Sequence, residues 1–287
     1  MGKKFQELDL SNAFLFAAAL EDKETCSLVL EALLGRKISV VNVHGEHTLL
    51  FSSDFKCARL DVYAKDELEV SYDLEMQNTD TGNLAKRSRF YQAELDVSSL
   101  KPGESYQQLK PSYIIFICTF DPFGKGLYRY VFEEYCKEAE LPLEDGTQKI
   151  FLNTKGMINN GESEELIQFL RYVENSTEDE AEKSPDGLVN RIHARVQSLK
   201  SSRELEANYM YFEELLQERE EQGRREGLDI GLNVGRRESL LDILSAKGTV
   251  SESLHEKVMS ERSIETLKKW IVLAAKSDSI EEFESQM

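Results

Sequence analysis

Between residues 8 and 35, apolar side chains at 14, 16, 17, 20, 28, 30 and 33 recur at helical spacing. The polar run EDKET at 21–25 divides the stretch into two helices, with Ser11 or Asn12 as a cap and Gly35 as a stop. Two short β-prone pieces follow, ISVVNVHG at 38–45 and HTLLFSS at 47–53. The apolar period then shortens to two in KCARLDVYAKD (56–66) and LEVSYDLEMQN (68–78), and the brief polar gap between them predicts a hairpin. LAKRSRFYQAELDVSSL (84–100) returns to helical spacing and stops before Pro102-Gly103. SYIIFICTFDPF (112–123) is apolar almost throughout, as a strand buried on both faces must be. LYRYVFEEYC (127–136) and QKIFLNT (148–154) complete the strands of a mixed α/β domain ending near residue 160.

Beyond that point the pattern changes. SEELIQFLRYVEN (163–175) is an amphipathic helix, and STEDEAEKSPDG (176–187) is a charged connector. Residues 188–247 read as almost continuous helix, and 250–286 as two or three small closing helices. The expected division is 1–160, a linking segment 161–187, and a helical region 188–287. Glycines 223, 227, 231 and 235 recur every fourth residue. Four interior glycines cost roughly 3–4 kcal/mol against alanine. A smooth stripe offsets that cost if another helix packs on it; a frayed linker is the alternative.

Composition narrows the functions. The chain of 287 residues holds 53 acids against 35 bases, a net charge of −18. Such a surface opposes non-specific nucleic-acid binding and confines any specific binding to a local basic groove. MGKKFQELDLSN at the start has no apolar signal core, and no run approaches the ~20 apolar residues of a membrane span. A cytoplasmic protein without a membrane partner is expected. Cysteines 26, 57, 118 and 136 are too scattered for a disulfide framework or zinc knuckle and read as buried free thiols.

The hairpin carries the candidate chemistry. Residues two apart share a strand face, so Asp73, Glu75 and Gln77 line one side while Leu74 and Met76 take the other. Antiparallel pairing brings Asp61 of the preceding strand beside that acidic side. Facing carboxylates repel unless a proton or a cation lies between them. A hard divalent ion suits their oxygens, and Mg²⁺ commonly keeps several waters in such sites. It can activate one of those waters against a phosphodiester. The same alternation also fits a plain sheet with one wet face.

The wider text resembles a known family. Asp61, followed by Glu75-Met76-Gln77 at the end of the next strand, is similar to the Asp…Glu-x-Lys signature of the PD-(D/E)XK nuclease superfamily. NAFLFAAALEDKE, RLDVYAKDE, YDLEMQN, KRSRFYQAELDVSSLKPGESYQQL, PSYIIFICTFDPFGKG and IFLNTKG resemble its recombination-promoting nuclease (Rpn) and transposase branch over residues 8–156. The resemblance implies an α/β, restriction-endonuclease-like core, a mixed sheet flanked by helices, with a helical C-terminal region. It implies a DNA endonuclease associated with recombination or transposition. Mg²⁺, with Mn²⁺ able to substitute, would be held by Asp61 and Glu75. Gln77, the third catalytic residue the resemblance implies, would help place the nucleophilic water; it stands where the superfamily usually has lysine, so the usual charge at the scissile phosphate is missing. Arg87, Arg89 and Gln92 of the next helix are candidate phosphate contacts, and Glu31 a candidate extra acid. DNA is the expected substrate and a second copy of the chain, through the C-terminal helices, the expected partner. The rival reading is a nuclease fold without catalysis, kept as an interaction or regulatory module.

Overall fold

The computed structural model describes residues 3–49, 58–184 and 187–287. The second half of HTLLFSS, the start of KCARLDVYAKD and Cys57 lie outside them, as does the side chain of Arg59. Contacts divide the chain into two compact units, Met1–Tyr209 and Met210–Met287.

In the first unit α1 (Ala13–Leu20) and α2 (Lys23–Leu34) are the two expected helices. Asn12 caps α1 by accepting from Leu15 N, Asp22 caps α2 by accepting from Thr25 N, and Gly35 ends α2 at φ +67°. The two β-prone pieces form one strand, β1 (Val40–Leu49), which runs through His44 and Gly45. β2 (Ala58–Asp66) and β3 (Ser71–Gln77) form the hairpin. Its turn is organised by Asp66, whose carboxylate accepts from Leu68 N, Val70 N and the Tyr72 hydroxyl at 2.8–3.0 Å. α3 (Leu84–Ser99) then carries the chain back to β4 (Ser112–Cys118). The long strand expected at 127–136 is two pieces, β5 (Arg129–Phe132) and β6 (Tyr135–Cys136). β6 pairs with β7 (Leu141–Pro142) in a separate small hairpin, and β8 is Thr147–Asn153.

The main sheet has the order β1-β2-β3-β4-β8-β5. β1, β2 and β3 pair antiparallel, β3, β4 and β8 run parallel, and β5 closes the far edge antiparallel. Burial on both faces explains the apolar text of β4. Ile115 and Ile117 join Leu74, Met76 and the helices on one side, while Ile114, Phe116 and Cys118 join Leu84 and Leu95 of α3 on the other. α4 (Glu164–Glu174) buries Leu166, Phe169, Leu170 and Val173, and α6 (Leu188–Lys200) buries Val189, Ile192 and Val196, in the first of these clusters. Helices expected beyond residue 160 therefore complete the core of the sheet unit. Even the charged connector contributes, through the short α5 (Glu178–Ala181) with its buried Ala181.

The boundary between the units falls inside α7 (Arg203–Ser245). In the second unit, Leu240 and Leu244 of α7 pack with Leu254 and Val258 of α8 (Glu252–Ser260), Leu267 of α9 (Ile264–Lys276) and Phe283 of α10 (Ile280–Gln286). The glycine stripe takes no part in this core. A Cβ at Gly223, Gly227, Gly231 or Gly235 would meet nothing within 4 Å. Cys26 and Cys118 are buried thiols as expected, but Cys136 is exposed.

Phe169 tests whether α4 is integral to the sheet unit. It is fully buried, so Phe169→Ala should cost about 3–5 kcal/mol. Urea denaturation should show this as a lower midpoint with an unchanged slope; a shift below about 1 kcal/mol would mean that α4 is an accessory.

Candidate active site

Backbone pairing of β2 with β3 ends at Val62 and Leu74. One step further, side chains take over. Asp61 N donates to Glu75 Oε1 at 3.0 Å, and Met76 N donates to Asp61 Oδ2 at 3.0 Å. Each carboxylate thus satisfies a backbone N–H of the opposite strand. The two acids converge because the hairpin opens there, and they lie on the face that α3 covers.

Asp73 and Glu75 are 0 % and 1 % exposed. The expectation of a wet face for 73–77 fails, because α3 lies over it. Only Gln77 is half-buried, where the strand reaches the sheet edge. Burial, then the neighbouring Asp61 charge, pushes the Glu75 carboxyl up to about 8 from an ordinary 4.5. Asp73 is raised well above its ordinary value, by burial first and then by Glu75 and Asp61. Both Asp73 oxygens are buried without a hydrogen-bond partner. A proton on Asp73 relieves part of this repulsion.

The opposing charge comes from α3. Arg87 Nη2 pairs with Glu75 Oε2 at 2.8 Å, and Arg87 Nη1 donates to Gln77 Oε1 at 2.9 Å. Its guanidinium lies 5.3 Å from the Tyr91 ring centre and 5.4 Å from that of Phe116, so aromatic faces hold it in place. Tyr91 is one turn on from Arg87, which puts both on the sheet-facing side of the helix. Gln77 Nε2 donates to the Met76 carbonyl at 2.9 Å. The Gln77 amide therefore bridges backbone and guanidinium, its two polar atoms engaged within the protein.

The remaining sequence candidates separate. Arg89 is exposed at the start of α3, in reach of a ligand outside the sheet. Gln92 is 7 % exposed, and its Nε2 donates to Ser112 Oγ at 2.6 Å, so it ties α3 to β4 rather than facing solvent. Glu31 pairs with Lys37 at 2.9 Å and accepts from Ile38 N at 3.3 Å. It lines a surface hollow with Asp66 and Leu68, at the opposite end of β2 from Asp61. Asp73 and Tyr91 were missed as members of the cluster. The signal for Tyr91 was its i+4 spacing from Arg87; Asp73 required knowing that a helix covers its face.

Could this set hold a divalent ion? Among the described residues no group of three or more His, Cys, Asp and Glu side chains forms a metal cage. The donors are the Asp61–Glu75 pair, which suits Mg²⁺, an ion bound through one or two carboxylates with retained waters and substrate oxygens. The partnerless Asp73 oxygens and the upward shift at Glu75 mark a pocket short of positive charge despite Arg87. The residues fit the ion.

The raised Glu75 carboxyl has a consequence for stability. The folded state binds this proton more tightly than the unfolded state. Its contribution is fully present below about 4.5 and is lost as pH rises through about 8. Chelator-treated protein should therefore melt at lower temperature at pH 9 than at pH 5.5, with a smaller difference in Glu75→Gln. An identical pH dependence in the two proteins would contradict the assignment.

The family model for PD-(D/E)XK nuclease family transposases matches residues 8–226. No curated protein and no solved structure matches the chain.

Proposed function

We infer that the chain, which belongs to the PD-(D/E)XK nuclease family transposases, is a Mg²⁺-dependent DNA endonuclease of the recombination-promoting type. Family membership supports a nuclease-type function. The convergence of Asp61 and Glu75 at the open end of the hairpin carries the finer reading.

In this reading Asp61 and Glu75 hold the ion, with Mn²⁺ able to replace Mg²⁺. When bound, the ion lowers the pKa of a coordinated water and stabilises charge at the phosphate. The chain's own residues supply the rest. Arg87, fixed by Glu75, Gln77 and two aromatic rings, brings from α3 the positive charge that residue 77 lacks. A held guanidinium stabilises charge developing on phosphate oxygens without reorganising during the reaction. Gln77 acts as the bracket for that guanidinium. Arg89, exposed two residues on from Arg87 and so on the outer side of α3, guides the DNA backbone.

Partner and compartment belong to the same proposal. The exposed stripe Gly223–Gly227–Gly231–Gly235, flanked by exposed Leu228 and Leu232, is assigned to contact with a second copy of the chain. An antiparallel arrangement sets Gly227 against Gly231 and Glu221 against Arg237, whereas a parallel one stacks like charges. No described helix is long and apolar enough to cross a membrane, and a cytoplasmic site of action fits the substrate.

Plasmid nicking tests the chemistry. Wild-type protein should nick supercoiled DNA with Mg²⁺ or Mn²⁺ and not with chelator, and Asp61→Ala and Glu75→Ala should be inactive. Arg87→Ala should lose about 10²–10³-fold in rate, with Arg87→Lys recovering part of it. Equal rates in all variants, or no metal-dependent nicking by wild type, would overturn the assignment and leave a nuclease fold retained for interaction. Sedimentation tests the partner: the wild-type dimer should dissociate in Gly227→Leu/Gly231→Leu, and a monomeric wild type would dismiss the glycine face.

A further inference from the structure

The parallel strands β3, β4 and β8 end side by side at Gln77, Cys118 and Asn153. The edge that carries the acid cluster therefore also carries the loop after β4 and the turn after β8. The loop DPFGKG, 121–126, is closely braced. Asp121 accepts from Phe123 N at 3.1 Å, Gly126 N at 2.6 Å and the Tyr130 hydroxyl at 2.7 Å. That hydroxyl in turn accepts from Lys125 N and Leu127 N at 3.3 and 3.2 Å. Gly124 and Gly126 take φ of +65° and +71°, which L side chains rarely adopt. From the turn after β8, Met157 N and Ile158 N both donate to the Gly126 carbonyl, at 2.8 and 2.9 Å.

Aromatic packing fixes where this loop stands relative to the acids. Phe123 meets Phe151 edge-on at 5.1 Å, and Phe151 stacks on Phe116 at 5.3 Å. Phe116 is the β4 residue in register with Glu75. The loop thus lies on the same face as the acid cluster, with Phe123 over β8, two strand spacings or ~10 Å from β3, and Lys125 N held by Tyr130 of β5, one strand further out. Cys118, between them, feels both the Arg87 guanidinium and the Asp121 carboxylate.

All this bonding holds the backbone, yet the Lys125 side chain is exposed and makes no ion pair or hydrogen bond among the described residues. Nearby bases are spent on acids: Lys155 pairs with Glu174 at 2.7 Å and Arg129 with Glu162 at 3.0 Å. In a chain with 53 acids and 35 bases, Lys125 stands without an ion pair among the described residues, on a braced loop at the edge that carries the acid cluster. Lys86 and Arg89, exposed at the start of α3 on this same edge, share the condition. Beside Lys125 stands Met157, 83 % exposed although its backbone is bonded to the loop.

We propose that Lys125 and Met157 form a substrate-docking rim, in which Lys125 takes a DNA backbone phosphate and Met157 packs on the adjoining sugar or base. The proposal rests on the nuclease reading for the identity of its ligand. At ~3.4 Å per nucleotide, the ~10–14 Å that separates the rim from the acids is about three to four nucleotides from the scissile bond. The ammonium gives attraction without sequence preference, and an exposed methionine gives the apolar contact that such proteins use against base steps.

Fluorescence anisotropy with a labelled duplex and full-length protein, in chelator and at two salt concentrations, tests the rim. Lys125→Ala should bind roughly three- to tenfold more weakly, with a salt slope shallower by about 0.9. Met157→Ala should weaken binding without changing the slope, and Lys137→Ala, on the exposed β6–β7 hairpin, should match wild type. Lys125→Ala with wild-type affinity and slope overturns the rim even if the protein nicks DNA. Lys125-dependent binding by a protein that never nicks supports the rim while the catalytic reading falls. A wild type that does not bind DNA overturns both.

Discussion

A buried carboxylate facing a half-buried one needs positive charge, and the architecture around Glu75 and Asp61 follows from that need. An isolated buried ion is prohibitively costly, so such groups take up protons or find partners. Here the partners come from three directions. The opened hairpin turns two backbone N–H groups toward the acids, burial and the neighbouring acids push the Asp73 carboxyl up toward its neutral form, and α3 delivers Arg87 onto Glu75. What these leave uncompensated is the charge that the proposed divalent ion would meet.

The fold makes this affordable by using the two faces of one sheet differently. On one side Leu74 and Met76 join a continuous apolar core with α1, α2, α4 and α6. On the other, α3 covers the acids while its aromatic residue Tyr91 and the β4 residue Phe116 hold the guanidinium between them. Parallel β3, β4 and β8 then gather their following loops at one edge. The proposed catalytic and docking groups come together there without any one segment having to supply them all.

Much of this was legible in the sequence. The helical period of 13–34, the period of two in 58–77 and the apolar run of β4 predicted those elements within a few residues, and the matching series of segments identified the fold family. Alternation plus resemblance singled out Asp61 and Glu75, and the structure places the two side by side across the hairpin. What failed, failed for tertiary reasons. Asp73 looked wet because alternation shows that a strand has two faces and not what covers the second. Gln92 looked available because helical spacing does not say which side meets the sheet. Glu31 was placed by analogy, and only the path of β2 shows it to be at the wrong end. The break at 160 followed a change in composition, but apolar residues of α4 and α6 complete the core despite their charged surroundings. The glutamine at residue 77 was visible, whereas its contact with Arg87 depended on helix rotation that sequence does not encode.

The central claim is that Asp61 and Glu75 together form one divalent-ion site. Titration of Mn²⁺ into metal-free protein, with the free ion followed by electron paramagnetic resonance, measures this without DNA or turnover. Wild type should bind one equivalent, and Asp61→Ala should bind none in the same concentration range while remaining folded by circular dichroism. A wild type that takes up no ion, or a variant that binds as wild type does, would contradict the account.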